Sequence, residues 1–163
     1  MRRFKQVGVT LLLVFAAAQL VRPERVHTPA DASHTIPAQM GALGGLAAIL
    51  DRSCSDCHSN NPSWPRYAEM APLSWVMARS AAEGRGAVNF SEWTGYPPDV
   101  QRTLLAASCQ DATRGTMPGP YALLRPATKL SPQDIETICA ASRQAKQMRP
   151  MDGGIRDVAL SGG

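Results

Sequence analysis

At 163 residues with 44% hydrophobic and 18% charged residues, the chain has the size and composition of one globular domain with extensions. Its net charge of +4 comes from Arg2, Arg3, Lys5 and Arg22; beyond residue 22 the remaining 13 basic residues balance 13 acidic ones. With no basic stripe and no interleaved aromatics, nucleic acid is excluded as a partner.

The first predicted element is a targeting segment. A positive stretch, MRRFKQ, precedes the apolar run Val7 to Val21, which is broken only by Thr10 and Gln19. The run is short for a membrane span, which needs about 20 residues, and suits the core of a signal peptide. Ala16-Ala17-Ala18 offers a cleavage site, and an uncleaved anchor is the competing outcome. Both place the rest of the chain outside the cytoplasm. The expected location is the periplasm, soluble or tethered to the inner membrane. Residues 1–22 are assigned to this leader, 23–35 to a linker, 36–147 to the domain and 148–163 to a tail. The linker is polar, carries Pro23 and Pro29, and holds His27 and His34 as solvated residues.

Within the domain, helical spacing recurs and alternating strand-like runs do not, so the predicted class is all-α with about four short helices. The first helix is PAQMGALGGLAAILDRS, with Met40, Leu43, Ala47 and Leu50 on one face. The second is APLSWVMARSAAEG, with Leu73, Val76, Met77 and Ser80 on one face and Gly84 as its stop. The third, PPDVQRTLLAASCQDATRG, runs to Gly115. The fourth has Ser131 as N-cap, Pro132 at the first helical position, Asp134 near the positive helix end, and Leu130 with Ile135 as a hydrophobic staple. Ile135, Ile138, Cys139 and Ser142 follow one face. Asn89 or Ser91 caps a structural turn in NFSEW.

Between the first two helices lies Cys54-Ser55-Asp56-Cys57-His58. A redox dithiol of the thioredoxin kind needs a βαβ setting, which is absent. Structural zinc needs four ligands, usually as two close pairs, and the other cysteines, Cys109 and Cys139, are 30 residues apart. The third chemistry is covalent attachment of one c-type haem. Two residues between the thiols span the separation of the two vinyl groups, and the adjacent histidine reaches the iron. Cys54 and Cys57 are then the thioether positions and His58 an axial ligand.

The other axial position has methionine candidates: Met40, Met70, Met77, Met117, Met148 and Met151. Met40 and Met77 fall on apolar helix faces, where methionine is usually core filler. Met117 stands in a loop stiffened by Pro118 and Pro120 and is the favoured ligand, since a Met/His pair is common in cytochromes c. Cys109 and Cys139 flank that loop. In an exported protein they are expected to pair as a disulfide, the alternative being two buried thiols. No acid–base dyad or nucleophile accompanies the site, so an electron carrier serving redox partner proteins is expected rather than an enzyme. A haem sensor or peroxidase-like protein with a displaceable sixth ligand is the alternative.

CSDCHSNNPSWPRYAEMAPLSWVMARSAAEGRGAVNFSEW (54–93) and MPGPYALLRPATKLSPQDIETIC (117–139) resemble the haem-binding domain family of bacterial exported and membrane-anchored single-haem proteins. The resemblance covers residues 36–147. It implies one covalent haem c, a cytochrome c-like helical bundle and a leader often kept as an anchor. Cys54, Cys57 and His58 match its attachment motif, and Met117 its methionine before a proline-rich turn. PGPY departs from the bulkier aromatic segment the family often has there. In that light Trp64, Tyr67, Trp75, Trp93 and Tyr121 are expected to line the haem crevice, with Arg66 or Arg125 pairing a propionate.

Overall fold

The computed structural model describes residues 2–24, 31, 33, 35, 36 and 45–147. The expectations for His27, His34, Met40, Leu43, Met148, Met151 and the tail lie outside those residues.

The described chain is all-helical. Its α-helices are α1 (Arg2–Ala18), α2 (Leu46–Ser53), α3 (Ser55–His58), α4 (Leu73–Ala87), α5 (Pro98–Arg114), α6 (Tyr121–Leu124) and α7 (Pro132–Gln147). Short 3-10 turns occupy Arg66–Glu69, Phe90–Gly95 and Pro126–Thr128. Four helices of the domain, α2, α4, α5 and α7, have eight residues or more, in line with the expected bundle.

Helix α1 carries most of the apolar run from Val7 to Val21 and buries no residue. Among the described residues no helix is long and apolar enough to cross a membrane. Just beyond α1, the Gln19 amide donates to the Ala71 carbonyl and accepts from the Ala71 N–H, at 3.3 and 3.0 Å. Trp75 Nε1 donates to the Val21 carbonyl at 2.7 Å.

Gly45 explains why a glycine stands before α2. It has φ of 87°, a left-handed conformation that costs glycine little, and the helix begins one residue later. The described helix is therefore shorter than the segment predicted from residue 37. Gly84 does not stop α4, which continues to Ala87; the buried face is Ser74, Met77, Ala81 and Gly84, and of the predicted face only Met77 is buried. Val76 points outward because α4 packs on α3, which favours its small residues.

Helices α5 and α7 form the main helix pair. Gly115, at φ of 70°, ends α5 as expected. Helix α7 opens on a reciprocal cap. Ser131 N–H and Oγ both donate to Asp134 Oδ2 at 2.8 Å, and the Asp134 N–H donates to Ser131 Oγ at 3.1 Å. Leu130 and Ile135 pack on the core beside it. The core joins Leu46, Ile49 and Leu50 of α2 to Phe90, Trp93, Leu105, Ile138, Ala141 and Ala145. A disulfide links Cys109 on α5 to Cys139 on α7, with Cα atoms 4.8 Å apart.

Candidate haem-binding crevice

Helix α3 is one turn long, so positions i, i+3 and i+4 share a face. Those positions are Cys54 at its N-cap, Cys57 and His58. The turn is held by the His58 N–H donating to the Cys54 carbonyl at 3.0 Å and by Ser59 Oγ donating to the Ser55 carbonyl at 2.7 Å. Gly84 lets α4 press against this turn: a Cβ there would stand 2.5 Å from the Cys57 carbonyl oxygen.

Cys54, Cys57 and His58 line one crevice, and Met117 lines it with them. Measured out to its open mouth, the crevice has about 980 Å³ of empty space. Helix α5 contributes Leu104, Ala107, Ser108, Asp111 and Ala112, a single stripe at helical spacing. Leu50, Val88, Phe90, Leu130 and Ile138 supply apolar wall from other parts of the fold. Of the methionines at 70, 77 and 117, Met77 is buried in the core, Met70 is exposed away from the crevice, and Met117 is on its wall at 49% exposure.

The His58 ring has a fixed setting. Its Nδ1 lies 3.1 Å from the Val88 carbonyl oxygen, leaving Nε2 for another partner. The Phe90 ring stands 5.9 Å from it, centroid to centroid. Burial lowers the imidazole pKa, against the pull of the Val88 and Gly84 carbonyls, so the neutral ring that ligates metals is favoured. Burial pushes the Cys54 thiol up to about 12, aided by Cys57. Burial and Asp56 also raise Cys57. The low-pKa thiolate of a redox dithiol is therefore not built here. Among the described residues no group of three or more His, Cys, Asp or Glu side chains is placed to hold a metal ion.

Several sequence expectations are corrected. Of the five aromatics expected in the crevice, only Tyr121 lines it. Trp93 is a core residue beside Phe90 and Tyr96, with ring centroids at 6.2 and 6.0 Å. Trp64 Nε1 donates to the Asp56 carbonyl at 3.0 Å, and Tyr67 OH to the Leu124 carbonyl at 2.7 Å. Trp75 instead meets Val21. Each of these last three rings is held by a polar tip that reaches a backbone oxygen, a demand invisible in the sequence. Arg125 pairs with Asp56, and neither Arg125 nor Arg66 is among the residues that line the crevice.

The motif NFSEW positions the site. Asn89 Oδ1 accepts from the Ser91 N–H at 3.1 Å, the expected cap. Asn89 Nδ2 donates to Asn60 Oδ1 at 2.7 Å, Asn60 Nδ2 to Glu92 Oε1 at 3.0 Å, and the Asn60 N–H to Ser91 Oγ at 3.0 Å. This buried net ties the segment after His58 to the segment after Val88, whose carbonyl faces the histidine. Sequence reasoning misses this role, the α5 stripe and Asp56. The one available signal is that polar Asn89 and Ser91 flank Phe90 in the chain.

No curated protein and no solved structure matches the chain. A family model, described as a haem-binding domain, matches residues 13–144, starting upstream of the span the sequence motifs suggest. By that match, and around a crevice lined by Cys54, Cys57 and His58, the chain belongs to the haem-binding domain family.

Proposed function

We propose that this is an exported c-type cytochrome domain that carries single electrons between redox partner proteins outside the cytoplasm. The observation that supports it most is the convergence of Cys54, Cys57, His58 and Met117 on one largely apolar crevice. Haem bound there supplies a one-electron iron couple. The residues fit it: two free thiols and an oriented imidazole share a helix face, and α5 offers a flat wall of mainly small side chains.

In this reading Cys54 and Cys57 would hold haem covalently through their thiols. His58 would offer Nε2 to the iron, its Nδ1–H donating to the Val88 carbonyl, which fixes ring and tautomer. Met117 would offer its sulfur as the second protein ligand, and a Met/His pair would raise the potential. Leu104, Phe90, Leu130 and Ile138 exclude water, which disfavours the more highly charged ferric site. The apolar α1 serves as export signal or membrane tether.

The half-exposure of Met117 favours one second reading, a sensor or peroxidase-like protein in which this ligand is displaced. The test is to express the full chain with haem maturation and stain a denaturing gel for haem. Haem retained by the unmodified chain and lost in Cys54→Ala/Cys57→Ala is expected; haem that dissociates on denaturation ends the c-type reading. A ferric long-wavelength sulfur-to-iron band that Met117→Ala abolishes is expected for His/Met ligation. Rapid carbon monoxide binding by the unmodified ferrous protein selects the second reading.

A further inference from the structure

Asp56 is one of the two residues between the attachment cysteines, and generic attachment chemistry asks nothing of it. Yet it is 5% exposed, and its carboxylate gathers donors from two other segments. Oδ1 accepts from the Ser63 N–H at 2.8 Å. Oδ2 accepts from Tyr121 OH at 2.7 Å and from the Arg125 guanidinium, whose Nη1 also reaches the Ser63 carbonyl. Burial, then the bond to Asp56, raises the Tyr121 hydroxyl well above its ordinary pKa, so it remains a donor.

Tyr121 and Arg125 frame α6, which directly follows the Met117 loop. Only Pro118, Gly119 and Pro120 separate Met117 from Tyr121, and the prolines fix φ. Gly119 turns at φ of 55° with its Cα side facing the Thr116 carbonyl. At the other end of the loop Thr116 Oγ1 donates to Asp111 Oδ1 at 2.9 Å, and Thr116 N–H to the Asp111 carbonyl at 3.1 Å. The methionine itself is half exposed, so little packing of its own side chain holds it. Its place relative to α3 is set by anchors on either side, and the downstream anchor is a residue of the attachment turn.

We propose that Asp56 is a positioning residue: through Tyr121 and Arg125 it fastens the Met117 loop to the haem-attachment turn and keeps the second axial position of the iron closed. This rests on the reading of Met117 as axial ligand and adds what controls it. Attachment and closure are then joined in one segment, because the turn that carries His58 also holds the loop that brings the sulfur.

The test uses the full-length haem-loaded protein and four variants: Tyr121→Phe, Asp56→Asn, their double, and Arg125→Lys. Tyr121→Phe removes one hydroxyl outside the attachment motif, so it remains informative should Asp56→Asn fail to mature. Carbon monoxide binding to the ferrous form is expected to speed about tenfold in Tyr121→Phe, the size expected for losing one hydrogen bond to a charged group. The ferric sulfur-to-iron band should weaken in parallel, with covalent haem and helix content unchanged. The double variant should add little to Asp56→Asn, and Arg125→Lys, which keeps the charge, should retain most of the band. Tyr121→Phe and Asp56→Asn both matching the unmodified protein in band and rate would overturn the positioning role alone. Absence of the band from the unmodified protein would overturn the Met117 ligation and this inference together.

Discussion

A Cβ placed on Gly84 would lie 2.5 Å from the carbonyl oxygen of Cys57 and 3.1 Å from its Cβ, so α4 meets α3 backbone to backbone. Neither side is the free end of a flexible side chain, and helix or turn must move to admit a methyl group. Gly84→Ala is expected to lower stability by about 1–3 kcal/mol, the usual cost of overpacking, despite alanine's better helix propensity. Urea unfolding of the purified chain checks the sign. Gly86, where an added Cβ would meet nothing within 4 Å, is the control, and Gly86→Ala should be neutral or stabilising.

The Asn60–Asn89 net makes a second claim. Asn89→Ala removes the donor to Asn60 Oδ1 and the acceptor for the Ser91 N–H, both in a buried setting. Stranding one buried polar atom and losing the cap together cost about 2–3 kcal/mol. Denaturant midpoints measured at constant slope report it. Amide exchange should quicken around Val88 and His58, because the net ties their two segments together. A loss below about 0.5 kcal/mol would mean that water replaces the asparagine without penalty.

These two cases show how unevenly the sequence can be read. Cys54, Cys57 and His58 are legible because their spacing is local: a single helical turn suffices to put them on one face. The cap of α7 is legible for the same reason. What α4 buries is not, since Gly84 has the look of a helix stop while its neighbour across the interface, Cys57, is 27 positions earlier in the chain. The aromatic residues fail as crevice markers because aromaticity says nothing about which backbone oxygen a Trp or Tyr tip will find. Asp56 is hidden inside the most conspicuous motif of the chain, as its partners arrive from residues 63, 121 and 125.

The Cys109–Cys139 disulfide spans 30 positions and ties α5 to α7. Cys109→Ser/Cys139→Ser is expected to lose about 3–4 kcal/mol, the chain-entropy value for closing a loop of that size. Haem attachment should survive, because the thiols at 54 and 57 are separate from this bridge. Urea melts with and without reductant check both points: reductant should lower the midpoint of the parent and leave the double variant unchanged.

Asp134 provides a pH test away from the crevice. The Ser131 backbone N–H, followed by the Ser131 hydroxyl and Arg52, holds its carboxyl below the ordinary range. Arg52 lies 2.8 Å away and is largely exposed, so solvent screens its share and the helix N-terminus is the main stabilising field. A depressed carboxyl pKa stabilises the fold above the unfolded-state value of about 3.9 and ceases to do so as pH falls through the native value. Asp134→Asn should therefore cost about 0.5–1 kcal/mol at neutral pH. Its deficit relative to the parent should stay flat down to about pH 5 and shrink steadily below about pH 4. Stability measured by urea titration across that range decides it: a deficit that persists unchanged in acid would assign the effect to shape rather than charge, since only the ionised carboxylate carries the difference.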